Sequence, residues 1–103
     1  MTRLKLLPFA LSLSLLATGA FAQSEKELDC GYQADVAGAV QQARLDGVSE
    51  RKVRKAIEDT NPAWPDRYSN AIPVFAAQIY QIKKRDLRKI DLRAEWLGTC
   101  MNN

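Results

Sequence analysis

The sequence has 103 residues, with 15 basic and 12 acidic side chains, two cysteines and no histidine. A chain this short forms one small domain and buries a limited fraction of its surface. The lack of histidine removes the usual neutral-pH general base and the commonest metal ligand. The near balance of charge gives no reason to expect nucleic acid as a partner.

Arg3 and Lys5 precede an apolar run from Leu6 to Leu16, and Ala20-Phe21-Ala22 places small residues where a signal peptidase reads. This is the layout of a secretory signal, residues 1–22, cleaved after Ala22. The apolar run falls short of the roughly 20 residues of a spanning helix, so no transmembrane segment is expected after cleavage. The expected mature chain is a single domain, residues 23–103. Without Arg3 and Lys5 it carries 13 basic against 12 acidic residues, a net charge of +1. The style of the signal points to the periplasm, with the extracellular space as the other destination.

Gln23 to Glu27 reads as a loose polar start. Asp29 is placed to cap a first helix running to about Leu45, with Cys30, Ala34, Ala37 and Val40 as a narrow stripe of small residues. Gly38 beside that stripe permits close helix approach. Gly47 can take the left-handed conformation that stops a helix. Ser49 is placed to cap a second helix to about Asp59, with Val53 packing back on Val48.

Thr60-Asn61-Pro62-Ala63-Trp64-Pro65 reads as a turn or extended loop. Pro65 suits the first position of a third helix. Tyr68, Ile72, Phe75, Ile79 and Ile82 follow at helical spacing, and Pro73 predicts a kink or a restart near Asn70 or Ile72. The apolar stripe breaks at Lys83 to Asp86. A fourth helix capped by Asp86 then runs to about Leu97, with Leu87, Ile90, Ala94 and Leu97 on one side and Gly98 ending it. An unbroken helix through this region is the alternative.

An even pair of cysteines in a short exported chain predicts a disulfide, Cys30 to Cys100. Closing so long a loop is worth roughly 4 kcal/mol on the chain-entropy estimate. The first helix must then start where the last one ends. The fold class that follows is all-α, a small bundle of three to five helices closed by one terminal disulfide.

No catalytic, cofactor or metal site is read from the residues. Two distant cysteines without histidine do not make a zinc site, and the five glycines are scattered rather than gathered into a phosphate loop. Adjacent Glu58 and Asp59, with Asp66 past the proline loop, are the carboxylates considered as possible acid–base groups. They read better as solvated helix ends, so the chain is not expected to be an enzyme. Trp64, between two prolines, and Tyr68 are the candidate aromatic contacts for a partner, although both also suit the core of a small domain. Lys84, Arg85 and Arg88 belong to the densest basic cluster. That cluster reads as a mixed-charge helix face, or as a contact for an anionic partner such as lipid headgroups or an acidic protein.

Cys30, Gly47-Val48-Ser49 and Cys100 together resemble a group of small exported two-cysteine helical proteins of bacteria, to which no activity attaches. A looser likeness is to the periplasmic acid-stress chaperones, which are also small, exported, helical and held by one disulfide. Two functions therefore compete. One is a non-catalytic interaction module for another envelope protein. The other is an acid-conditional chaperone, since protonating 12 carboxylates near pH 2 takes the mature chain from +1 to about +13.

Overall fold

A computed structural model describes residues 23–103; the expected signal segment, residues 1–22, lies outside the described residues. The described chain forms α1 (Glu25–Leu45), α2 (Val53–Glu58), α3 (Ile72–Ile79), α4 (Lys84–Leu87) and α5 (Leu92–Met101). Short 3-10 turns, Glu50–Lys52 and Asp66–Ala71, lead into α2 and α3. There is no strand among the described residues. The bundle is all-α, and the disulfide joins Cys30 to Cys100 with their Cα atoms 5.6 Å apart.

The spine is α1. It starts earlier than the sequence predicts, because Ser24 and not Asp29 is its cap. The Ser24 hydroxyl accepts from the Glu27 N–H at 3.0 Å, and the Glu27 carboxylate accepts from the Ser24 N–H at 3.2 Å. This reciprocal pair satisfies two otherwise orphaned donors and draws the supposedly loose residues 25–27 into the helix. The far end follows expectation. Gly47 has φ 88°, Val48 N–H donates to Ala43 and Gly47 N–H donates to Arg44, which closes the helix carbonyls in a Schellman turn.

Ser49 has an extended backbone but its hydroxyl makes no cap bond, and the chain makes a 3-10 turn before α2. Val48 nevertheless packs on the core cluster that includes Val53. Asn61 ends the turn after α2 with φ 53°, a conformation that Asn tolerates better than most side chains. Pro65 is extended and stands just before the 3-10 turn rather than inside a helix. Pro73 lies in the first turn of α3, where its missing N–H costs nothing, so the chain restarts at Ile72.

The core is Val36, Val40, Ala43, Val53, Ile57, Trp64, Tyr68, Ile72, Ala76, Ile79 and Leu87. The expected stripe from Tyr68 to Ile82 all packs in or against it. At one end, Arg44 donates to the Ile82 carbonyl at 3.1 Å and lies over the Tyr80 ring, while Tyr80 donates to the Val48 carbonyl at 2.7 Å.

The C-terminal third departs most from expectation. The expected fourth helix from Asp86 to Leu97 is two elements. Lys83 precedes the single turn α4, and Asp86 lies inside it. Asp91 is the cap of α5, accepting from Ala94 N–H at 3.0 Å. The helix passes through Gly98 to Met101 instead of ending there. Of the four positions expected to face inward, Leu87 is buried and Leu97 half-buried, whereas Ile90 and Ala94 are exposed and Leu92 and Trp96 are half-buried in their place.

Residues 82–100 run antiparallel to α1 in steady register. Cys30 meets Cys100, Gln33 meets Trp96, Asp35 meets Arg93, Gln41 meets Leu92, Ile90 and Leu87, and Arg44 meets Ile82. Gly38 permits this approach, because a Cβ there would stand 3.3 Å from the Arg93 Cβ.

Candidate functional site

Both α3 and α5 pack on α1. Between them lies a cleft of about 440 Å³ lined by Gln33 and Ala37 of α1, by Val74, Phe75 and Gln78 of α3, and by Leu92, Glu95 and Trp96 of α5, among others. Ala37 lies at the α1 level of the cleft, where its small side chain leaves room. Phe75 and Trp96 meet edge to face, ring centroids 5.0 Å apart at 89°, and bridge the two walls. Val74 stands 62 % exposed on the rim. Gln33, Gln78, Glu95 and Thr99 supply its polar groups.

The Trp96 ring is held by a chain of hydrogen bonds. Its indole N–H donates to the Gln33 side-chain carbonyl at 3.0 Å. The Gln33 amide donates in turn to Asp29 at 2.9 Å. The other Asp29 oxygen accepts from the Tyr68 hydroxyl at 2.6 Å, and Arg67 donates to that hydroxyl at 3.2 Å while lying over the ring. Each end of the Gln33 amide has one partner, so its orientation is fixed. The hydrogen bond to Asp29, and then burial, push the Tyr68 phenol above its ordinary pKa, while Arg67 opposes them. Burial does the same to Tyr80, with Arg44 opposing.

A second, polar hollow of about 560 Å³ lies beside α2, lined by Arg54, Glu58, Asn61, Asp66, Arg67 and Asn70 among others. Its charges are already engaged or balanced. Arg54 pairs with Glu58 at 3.2 Å and donates to Asn70 at 2.9 Å. Asp59 instead pairs with Lys55 at 3.1 Å.

The residues singled out from the sequence fall in two places. Trp64 and Tyr68 are each 8 % exposed and belong to the core. Trp64 spends its indole N–H on the buried Ser69 hydroxyl at 3.0 Å, so the proline loop folds its tryptophan inward and presents no aromatic to a partner. Tyr68 faces Tyr32, 5.1 Å away, and is bonded as described. The Trp64 and Tyr68 side chains are thus built into the core, the other place the sequence offered for them. Lys84, Arg85 and Arg88 lie apart from both, on and just after α4, with Lys84 half-buried and the two arginines exposed.

Sequence reasoning missed Trp96, Gln33 and Gln41. The signal was present for Trp96: Leu92, Trp96 and Cys100 recur every four residues. The helix begins at Leu92, after an interruption that the stripe from Leu87 to Leu97 does not reveal. No family model, curated protein or solved structure matches the chain.

Proposed function

We propose that this chain is an exported, non-catalytic interaction module of the bacterial periplasm, and that the cleft between α3 and α5 is where it holds a segment of another envelope protein. The single observation that carries this reading is an open apolar cleft with Val74 turned outward on its rim. The floor and walls suit an aliphatic or aromatic anchor, and the rim amide of Gln78 suits the backbone of an extended segment. Glu95 makes no ion pair among the described residues and favours a cation beside that anchor. The secretory layout of residues 1–22 and the disulfide support an oxidising compartment. No helix among the described residues is long and apolar enough to cross a membrane.

The test is native mass spectrometry of protein purified from its host's envelope, beside a Val74→Glu variant. Val74 is mostly exposed, so the substitution spares the fold while placing a charge on the cleft. A second protein in fixed ratio, lost in the variant, supports the reading. A protein that travels alone, or a partner retained by Val74→Glu, refutes it.

The acid-conditional chaperone stays in view for one reason. Protonating its 12 carboxylates near pH 2 takes the expected mature chain from +1 to about +13, and self-repulsion then favours opening while the disulfide limits expansion. On this reading the protein suppresses aggregation of a client near pH 2–3. Unchanged light scattering from an acid-treated client sinks it.

A further inference from the structure

Charge is unevenly distributed along the described chain. Lys83 to Arg93 carries six basic and two acidic side chains, a net +4; the remaining described residues carry seven basic and ten acidic, a net −3. A solvated mixed-charge helix face interleaves acids at spacings of three and four, and like charges at those spacings repel. Here Lys83, Lys84, Arg85, Arg88 and Lys89 have two acids near them: Asp86, which lies 3.9 Å from Arg85 with both side chains mostly exposed, and Asp91, whose side chain is turned to cap α5 through Ala94 N–H. Lys83, Arg88 and Lys89 form no ion pair among the described residues.

The backbone beneath these cations is firmly held. Leu87 is fully buried under them. The Gln41 amide donates to the Leu87 carbonyl at 2.9 Å and to the Ile90 carbonyl at 2.8 Å, and its oxygen accepts from Leu92 N–H at 3.2 Å. The helix is interrupted here, and the interruption leaves Arg88, Lys89 and Ile90 exposed on a short pinned segment. Ile90 is 37 % exposed among the cations. Neither cleft described above is lined by these residues.

We propose that Lys83 to Ile90 is a second working surface, which seats the protein on an anionic phospholipid membrane. An open array of cations around one exposed aliphatic side chain suits a broad layer of phosphate headgroups with acyl chains beneath. Each cation near such a surface strengthens binding about fivefold, and the effect fades with salt.

The experiment is cosedimentation of residues 23–103, which contain the whole described core and the disulfide, with vesicles. The vesicles are phosphatidylcholine with about 40 % phosphatidylglycerol, or phosphatidylcholine alone. The expected result is binding to the anionic vesicles only, lost between about 30 mM and about 300 mM salt. Replacing Lys83, Arg85, Arg88 and Lys89 together by Gln should weaken it by roughly 600-fold, taking about fivefold for each of four cations. Replacing Lys26, Arg51, Lys52 and Lys55 by Gln removes the same charge elsewhere and should change it by a few fold at most. Circular dichroism checks that both variants fold. Failure to bind anionic vesicles, equal binding to neutral ones, or equal losses in the two variants overturns the proposal. The first of these assigns the cations to an acidic protein instead. The assay contains no protein partner, so its outcome is independent of the cleft.

Discussion

Gln41→Ala is the sharpest test of how the C-terminal third is held. The side chain makes three hydrogen bonds to one stretch of backbone, at 2.8, 2.9 and 3.2 Å. Each is worth about 0.5–1.5 kcal/mol net. Ala gains a few tenths of a kcal/mol back in helix propensity. The expected cost is about 2–3 kcal/mol, which for a domain of this size lowers the midpoint of thermal unfolding by roughly 10 °C or more. Gln41→Glu separates the donors from the acceptor. It keeps an oxygen for Leu92 N–H but turns a carboxylate toward two carbonyl oxygens, which raises the pKa of the new acid. A raised carboxyl pKa means that stability is full below the unfolded value, about 4.3, and is lost as pH rises through the folded one. The Glu variant should therefore be worse than Ala at neutral pH and approach it in acid. The assay is urea and thermal unfolding with the disulfide intact, with amide exchange followed at Leu92. A loss below about 0.5 kcal/mol for Gln41→Ala would refute the claim that this amide organises the segment.

Other consequences can be measured on the same material. Gly31 and Gly98 lie inside helices with open space where a Cβ would go, so Gly31→Ala and Gly98→Ala should each stabilise by up to about 1 kcal/mol. Tyr68→Phe removes the bond to Asp29 and should cost about 1–2 kcal/mol in urea unfolding. In ultraviolet titration the Tyr68 and Tyr80 phenols should ionise above the ordinary tyrosine range. With both pKa values raised, their contribution is full below about pH 10 and lost above it, so alkaline unfolding should begin as they titrate. Reducing the disulfide should cost about 2–4 kcal/mol. Amides of α5 should exchange before those of α1 and α3 do; uniform acceleration across the chain would count against α5 as the separately held element.

Much of the fold was legible because local chemistry and long-range packing agree in it. Gly47 ends α1 since only a residue at ease with positive φ can make that turn. Pro73 forces the restart at Ile72, and the 3.5-residue spacing from Tyr68 to Ile82 faces one core. The departures have different causes. Ser24 and Asp29 both suit the start of α1, and there the deciding partner is local: Glu27, three residues on, completes a Ser-x-x-Glu box with Ser24 that is written in the sequence. Asp86 and Asp91 both suit the start of the last helix, and there the partner is distant: Gln41 bonds the backbone between Leu87 and Leu92, where Asp91 becomes the cap. A side chain reaching across about 50 positions leaves no periodic mark in the sequence. Trp64 turns inward on a near partner, Ser69, five residues away.

The way α5 is held explains why a cleft exists at all. None of its residues is fully buried, yet it lies along α1 over most of its length. Half-buried Leu92, Trp96 and Leu97 supply only part of that attachment. The disulfide, the Trp96–Gln33 and Arg93–Asp35 bonds and the three Gln41 bonds run in register along α1 and hold it in place. A helix fixed by its polar and covalent contacts need not sink between its neighbours. It can stand off from α3 and leave Phe75, Val74 and Trp96 lining open space. The same register places Gln33 at one end of the seam, setting the wall of the cleft, and Gln41 at the other, setting the basic segment. The two surfaces are therefore mechanically separate. Gln41→Ala should loosen the cations while leaving Trp96 in place, and Gln33→Ala should do the reverse.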